Sequence, residues 1–186
     1  MTQPVVPCAA GTRILHMRKI VEERHGAAFL QKALAELPEP LREEYLGASA
    51  VSWVPTATEY AVHDAIARAL GQEPLAFHEK LLREAMERSF KTLWRILLSF
   101  TSDEALIART PLIYSRTRNV GEMQARLVSP GRAELNLRGY PGIAVRDVRS
   151  LSAGLETVLT LTGREGAQVA GTLNGEGAVF QVTWSA

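Results

Sequence analysis

The stretch Glu122–Trp184 decides the fold. It reads EMQARLVS (122–129), Pro130-Gly131, RAELNLR (132–138), and then, beyond an intervening segment, AQVAGTL (167–173), Asn174-Gly175-Glu176-Gly177 and AVFQVTW (178–184). Met123, Ala125 and Leu127 alternate with Glu122, Gln124 and Arg126. Ala133, Leu135 and Leu137 alternate with charged and polar neighbours, and Ala178, Phe180, Val182 and Trp184 share one face. A period of two with one apolar and one polar face predicts antiparallel strands that are wet on one side. The glycine-bearing links predict two hairpins. The segment DVRSLSAGLETVLTL (147–161) places Val148, Leu151, Leu155, Val158, Leu159 and Leu161 at helical spacing. The unit is therefore ββαββ. Its apolar face needs a cover.

The first 120 residues supply the cover. Apolar positions from Ile14 to Leu37 recur every three or four residues, with Gly26 dividing two helices and Arg24 and His25 in the last turn of the first. Pro38 and Pro40 stop the second, and LREEYLG is a short helical turn. Val51-Ser52-Trp53-Val54-Pro55 is a loop or short extended piece, because Pro55 biases its predecessor away from the helix. Thr56 or Thr58 is expected to cap a helix running to Leu70, with Glu59 at the capping-box position. Leu75–Phe100 is the longest helical pattern. Thr101 or Ser102 caps a further helix, DEALIART. The fold class predicted is α+β: N-terminal helices on a four-stranded antiparallel sheet, C-terminal order ββαββ. Residues 1–12 read as a flexible end or a short docking strand, and 13–186 as a single domain, helical over 13–120 and ββαββ over 122–184.

The totals bound the function. The chain has 186 residues and carries 21 basic and 20 acidic side chains, for a net charge of +1. Such a balance gives no broad field for nucleic acid. One cysteine, Cys8, excludes an intramolecular disulfide and a thiolate cluster. The N-terminal residues lack the apolar run of a signal peptide, and no stretch has the length of a membrane span, so the cytoplasm is the expected location.

Several short motifs carry a resemblance: RKIVEERHG (18–26), Ser52-Trp53-x-Pro55, SFKTLWRILL (89–98), Gly139-Tyr140-Pro141-Gly142, Gly154-Leu155-Glu156 with Gly163, and a last strand of the form F-x-V-x-W. Helices followed by ββαββ with these motifs resemble the ligand-binding superfamily that joins heme nitric-oxide/oxygen-binding domains, 4-vinyl reductase domains and the Bet-family subunits of the TRAPP tethering complex. Small bacterial, myxobacterial-type proteins of this superfamily are the members it looks most like. The resemblance implies a non-enzymatic signalling or adaptor protein, acting as a homodimer through a small apolar ligand or a protein partner. The alternative it implies is a heme-bound gas sensor.

The candidate residues follow. Trp53, Tyr60, Phe90, Trp94, Tyr114 and Phe180 are read either as packed core or as the lining of a pocket for an apolar molecule. The heme domains carry a Tyr-x-Ser-x-Arg motif that holds the propionates. Here Tyr114-Ser115-Arg116-Thr117-Arg118 matches at the tyrosine and the last arginine, with Arg116 in place of serine. Arg116 and Arg118 are thus expected anion contacts. No cofactor is the primary reading. In the heme alternative His78 is the axial ligand, since Phe77, Leu81 and Leu82 surround it. All four histidines otherwise read as surface or capping residues. No H-x-x-x-H or C-x-x-C pair points to a metal. No G-x-S-x-G or phosphate loop points to catalysis, so no catalytic residue is assigned. The small face Ser150, Ser152, Ala153 and Gly154 predicts close approach of another backbone, from its own sheet or from a second protomer.

Overall fold

The computed structural model describes residues 5–90 and 102–185. Its helices are α1 (Gly11–His25), α2 (Ala27–Leu34), α3 (Glu39–Leu46), α4 (Thr56–Ala69), α5 (Pro74–Phe90), α6 (Asp103–Ser115) and α7 (Val145–Leu161). Its strands are β1 (Cys8–Ala10), β2 (Trp53–Pro55), β3 (Glu122–Ser129), β4 (Arg132–Arg138), β5 (Gln168–Leu173) and β6 (Ala178–Thr183). The larger sheet runs β3-β4-β6-β5, wholly antiparallel, and β1 pairs with β2 in a second small sheet. The fold is α+β, as the change of period requires.

Local chemistry accounts for most boundaries. Gly26 at φ 86° ends α1, its N–H returning to the Glu22 carbonyl, with Arg24 and His25 on the negative end of the helix dipole. Ser102 caps α6 by accepting from the Ala105 N–H, and Asp103 and Glu104 occupy its first turn. The start of α4 differs from expectation. Pro55 holds the cap position and no side chain caps it. Thr58 instead donates to Glu44, and Glu59 is drawn inward to Arg13. The N-terminal stretch becomes a docking strand from Cys8 onward, with Cys8, Ala9 and Ala10 buried against β2. The second half of the long helix expected over Leu75–Phe100 lies outside the described residues.

The sheet alternates as its sequence dictates. Met123, Leu135, Leu137, Phe180, Val182 and Trp184 are buried beneath it with Val158 and Leu159 of α7 and Leu106 of α6. A second core fills the helical half around Ile14, Met17, Ile20, Leu34, Tyr45, Ile66 and Leu81. Met86 of α5 packs against both, and Ala153 of α7 belongs to the helical one. Helix α7 therefore lies between sheet and helices, and its small middle serves both sides. A Cβ on Gly171 of β5 would come within 2.5 Å of Val148 Cγ1 and 2.9 Å of Ser152 Oγ. On the opposite side Arg83 of α5 donates to the Ala153 carbonyl at 3.3 Å. The close approach expected of Ser150–Gly154 is thus made within the chain.

Gly171→Val adds a good strand former at a position with no room for it. Overpacking sets the sign. The variant should lose about 1–3 kcal/mol of stability in urea denaturation, and a midpoint equal to or above that of the parent would refute this packing.

Candidate functional site

Helical spacing builds a polar cluster inside the helical half. Glu59 and His63 stand four residues apart on α4 and so share one face. Both are fully buried, as is His78 from α5. His63 Nδ1 lies 2.8 Å from His78 Nδ1. His78 Nε2 lies 3.1 Å from Ser150 Oγ on α7 and 3.4 Å from Nη2 of Arg13 on α1. Arg13 Nε donates to Glu59 Oε1 at 2.9 Å, and Nη2 reaches the same oxygen at 2.8 Å and Ser150 Oγ at 3.3 Å. Four helices meet in this network.

The donor inventory assigns the tautomers. A guanidinium can only donate, so His78 Nε2 accepts from Arg13 and from the Ser150 hydroxyl. In the neutral ring His78 Nδ1 then carries the proton and donates to His63 Nδ1. His63 Nε2 carries the proton of its own ring, and that N–H has no partner among the described residues. Neutrality is enforced by the site. Burial pushes His63 down to about 4, and Arg13 adds to the shift against the pull of Glu59. Burial, then the charges of His63 and Arg13, holds His78 well below the ordinary histidine range. Burial pushes the Glu59 carboxyl up, but Arg13 and Arg118 outweigh it and hold it below its ordinary value.

Arg118 is 3 % exposed, and its Nε and Nη2 make no hydrogen bond among the described residues. Its charge acts on Glu59 and Tyr60 and opposes that of Arg13. Two guanidinium groups thus face one carboxylate, Glu59. Asp147 is spent elsewhere: it accepts from Tyr60 at 2.9 Å, Tyr140 at 3.2 Å and the Ala144 N–H at 2.9 Å, pinning the start of α7 to α4. Glu59, His63 and His78 present donor atoms within 4.8 Å of one another, a trio the sequence reading missed because the second histidine comes from the next helix. The existing positive charge does not favour a further cation there.

Arg13 and Ser150 also face a cavity. It encloses about 280 Å³ between α1, α5, α6, α7 and β3. Leu82, Met86, Ile113, Leu151, Leu155 and Val158 make most of its wall, and Thr12, Arg13, His16, Ser89, Thr117 and Ser150 its polar portion. Its histidine is His16, whose Nδ1 lies 2.6 Å from Ser89 Oγ.

The expected pocket residues divide. Tyr114 lines the cavity, and its hydroxyl donates to the Val120 carbonyl at 2.7 Å. Tyr60 joins the polar cluster instead, with the Arg146 guanidinium 4.2 Å above its ring. Phe180 is core under the sheet, and Trp53 is 44 % exposed, so neither lines the cavity. Trp94 and the side chain of Phe90 lie outside the described residues. Of the expected anion contacts Arg118 is buried and Arg116 is exposed. His63 and His78, expected at the surface or as caps, are interior. The Glu59-x-x-x-His63 spacing on the apolar side of α4 is the signal that could have found the cluster.

No family model and no curated protein matches the sequence. Solved structures do match in fold. The unliganded Fe(II) H-NOX protein from K. algicida superposes with a TM-score of 0.64 at 10 % identity, covering 95 % of this chain and 97 % of that one. An H-NOX protein from S. oneidensis in the Fe(II)NO ligation state gives 0.63 at 8 % identity, covering 95 % of this chain and 99 % of that one. A structure solved to probe heme distortion in the H-NOX family gives 0.64 at 9 % identity, covering 95 % of both chains. The fold is that of H-NOX domains. No helix among the described residues is long and apolar enough to cross a membrane.

A histidine held neutral in the native state binds its proton only in the unfolded chain at mildly acid pH. Stability is therefore complete above the ordinary value of 6.5 and is lost as pH falls toward about 4. Glu59, held low, adds its loss only below its ordinary value of 4.5. Urea denaturation between pH 7 and 4.5 should show the unfolding free energy falling, by on the order of 2–3 kcal/mol from His63, with His78 adding to the loss in the same direction. A flat profile over this range would remove the buried neutral pair.

Proposed function

We propose that the chain is a non-enzymatic receptor that takes a small apolar molecule into the cavity between its helices and its α6–α7–β3 side. The observation that carries this reading is the cavity itself. Its wall is mainly aliphatic, it sits where two cores meet, and only two of its polar groups, Arg13 and Ser150, tie into the buried network. Its volume, about 280 Å³, lies just below the usual range for ligand pockets, ~300–1,000 Å³, and so suits a small guest. Occupancy can be signalled because Arg13 and Ser150 belong to cavity and network at once. A ligand touching them alters the hydrogen bonds of His78.

Heme is the second reading, supported by the neutral imidazoles beside the cavity in a fold whose solved neighbours include heme proteins. When bound, heme would supply a gas-ligating iron. The geometry qualifies the expected ligand. Both ring nitrogens of His78 are engaged, with His63 on one side and with Ser150 and Arg13 on the other. Ligation through His78 requires one of these bonds to break. The receptor reading expects added hemin to keep its free spectrum. A Soret band that is lost in His78→Ala and retained in His16→Ala would favour heme.

Gly154 faces the cavity from α7, and a Cβ there would meet only Met86 Sδ at 3.6 Å. Gly154→Leu should therefore fill the cavity without disturbing the backbone. Leucine is also better than glycine in a helix by roughly 0.8 kcal/mol. The variant should hold or raise the melting temperature and lose binding of the small neutral fluorophore 1-naphthylamine at least tenfold. Undiminished binding in a folded Gly154→Leu protein would place the probe elsewhere and sink the reading.

A further inference from the structure

We infer that the molecule received by the cavity carries a carboxylate, which docks on the Arg13 guanidinium and the Ser150 hydroxyl while its apolar body lies along α7 toward Leu155. This rests on the receptor reading and names the class of ligand.

Three observations converge on it. The first is charge. Among the described residues, Arg13 is the one guanidinium or ammonium group on the cavity wall, and no carboxylate lines that wall. Its Nε and Nη2 are engaged with Glu59, Ser150 and His78, whereas Nη1 makes no hydrogen bond to a described residue. The side chain keeps 13 % of its exposure. Arg118 is buried with two donors that have no partner among the described residues, so Glu59 alone among the described carboxylates answers two guanidinium groups. A buried positive surplus is costly, and an anion at Arg13 lowers it.

The second observation is the order of the wall. Along α7 the cavity meets Ser150 first, then Leu151, Gly154, Leu155 and Val158. At ~1.5 Å per residue these span about 12 Å from the hydroxyl to the last valine. Helix α1 contributes Thr12, Arg13 and His16, and of these Arg13 stands at the Ser150 end, within hydrogen-bond reach of its hydroxyl. The cavity therefore has a cationic head and an aliphatic body. The third is size. About 280 Å³ equals roughly nine waters at ~30 Å³ each, room for a compact acid of about ten non-hydrogen atoms. A carboxylate of this kind belongs either to a free aliphatic acid or to the propionate arm of a larger ring whose body stays outside the cavity.

Competition against the small neutral fluorophore 1-naphthylamine on the full chain at neutral pH tests this. Octanoate should displace the probe at least tenfold more readily than 1-octanol. Arg13→Met should erase that preference and leave the 1-octanol curve in place. Because Arg13→Met strands Glu59, the double variant Arg13→Met/Glu59→Gln repeats the measurement in a chain with no buried unpaired carboxylate. Arg13→Lys should retain part of the preference. If octanoate is inert but hemin displaces the probe, and hemin loses affinity in the double variant, the carboxylate contact stands and its source is a propionate. If 1-octanol matches or exceeds octanoate in the parent chain and hemin is indifferent to the Arg13 variants, the inference is overturned while the receptor reading survives. Failure of the probe itself to bind would instead remove the receptor reading.

Discussion

Helix α7 has to pack against two different surfaces at once, and the rest of the structure follows from how it does so. On one side it lies on the sheet, where Gly171 admits it to within van der Waals contact of β5. On the other it meets α5, close enough for Arg83 to reach a backbone carbonyl of α7. A helix with large side chains all round would hold these layers apart. Small residues over Ser150–Gly154 let the layers close, while Val148, Val158 and Leu159 anchor the sheet side. Interiors close-pack when shapes match. Where Ser150 and Gly154 share a wall with the bulky Leu82 and Met86, the match is incomplete, and the cavity is what remains.

The same helix carries Ser150 into the helical half, where it completes a network that would otherwise be hard to bury. An isolated ion pair taken from water rarely recovers its desolvation. Arg13 and Glu59 recover part of it by sharing their remaining capacity with Ser150 and His78, and the histidines help by staying uncharged. The arrangement is directional. Arg13 can only present a hydrogen to His78 Nε2, and the Ser150 hydroxyl turns to match, so the ring proton sits on the His63 side. Any group that draws Arg13 or Ser150 away removes the reason for that choice. The network is thus a set of coupled hydrogen bonds with one end on the cavity and the other deep among α3, α4 and α5.

Much of the architecture was legible because it is written in periods. Alternation along β3, β4 and β6, the Gly26 break, Ser102 ahead of an acidic turn and the small face of α7 are local signals, and local signals decide local structure. The site was less legible because its parts are local only in pairs. Glu59 and His63 announce one helical face, but nothing in the linear order says that His78, Arg13 and Ser150 will meet there. Surface placement for His63 and His78 followed the usual behaviour of histidine, which a buried network with matched donors overrides. Trp53 illustrates the reverse error. A tryptophan in an apolar run suggested a pocket, yet the two-residue alternation of β2 turns Val54 inward and leaves Trp53 outward.

A fold shared with H-NOX domains at such low identity is carried by pattern, since few side chains are common to both. That has a consequence for reading function. Layers, crossing helix and interlayer space are fixed by period and by small-residue placement, whereas the chemistry presented to that space depends on a handful of positions free to change. In this chain those positions hold a guanidinium, a serine and a half-buried His16, and they leave His78 behind the wall with both nitrogens engaged. The fold says where a guest would sit. On the proposed reading, Arg13, paired with Glu59 behind the wall and facing no carboxylate among the described residues of the wall itself, is what would select the guest.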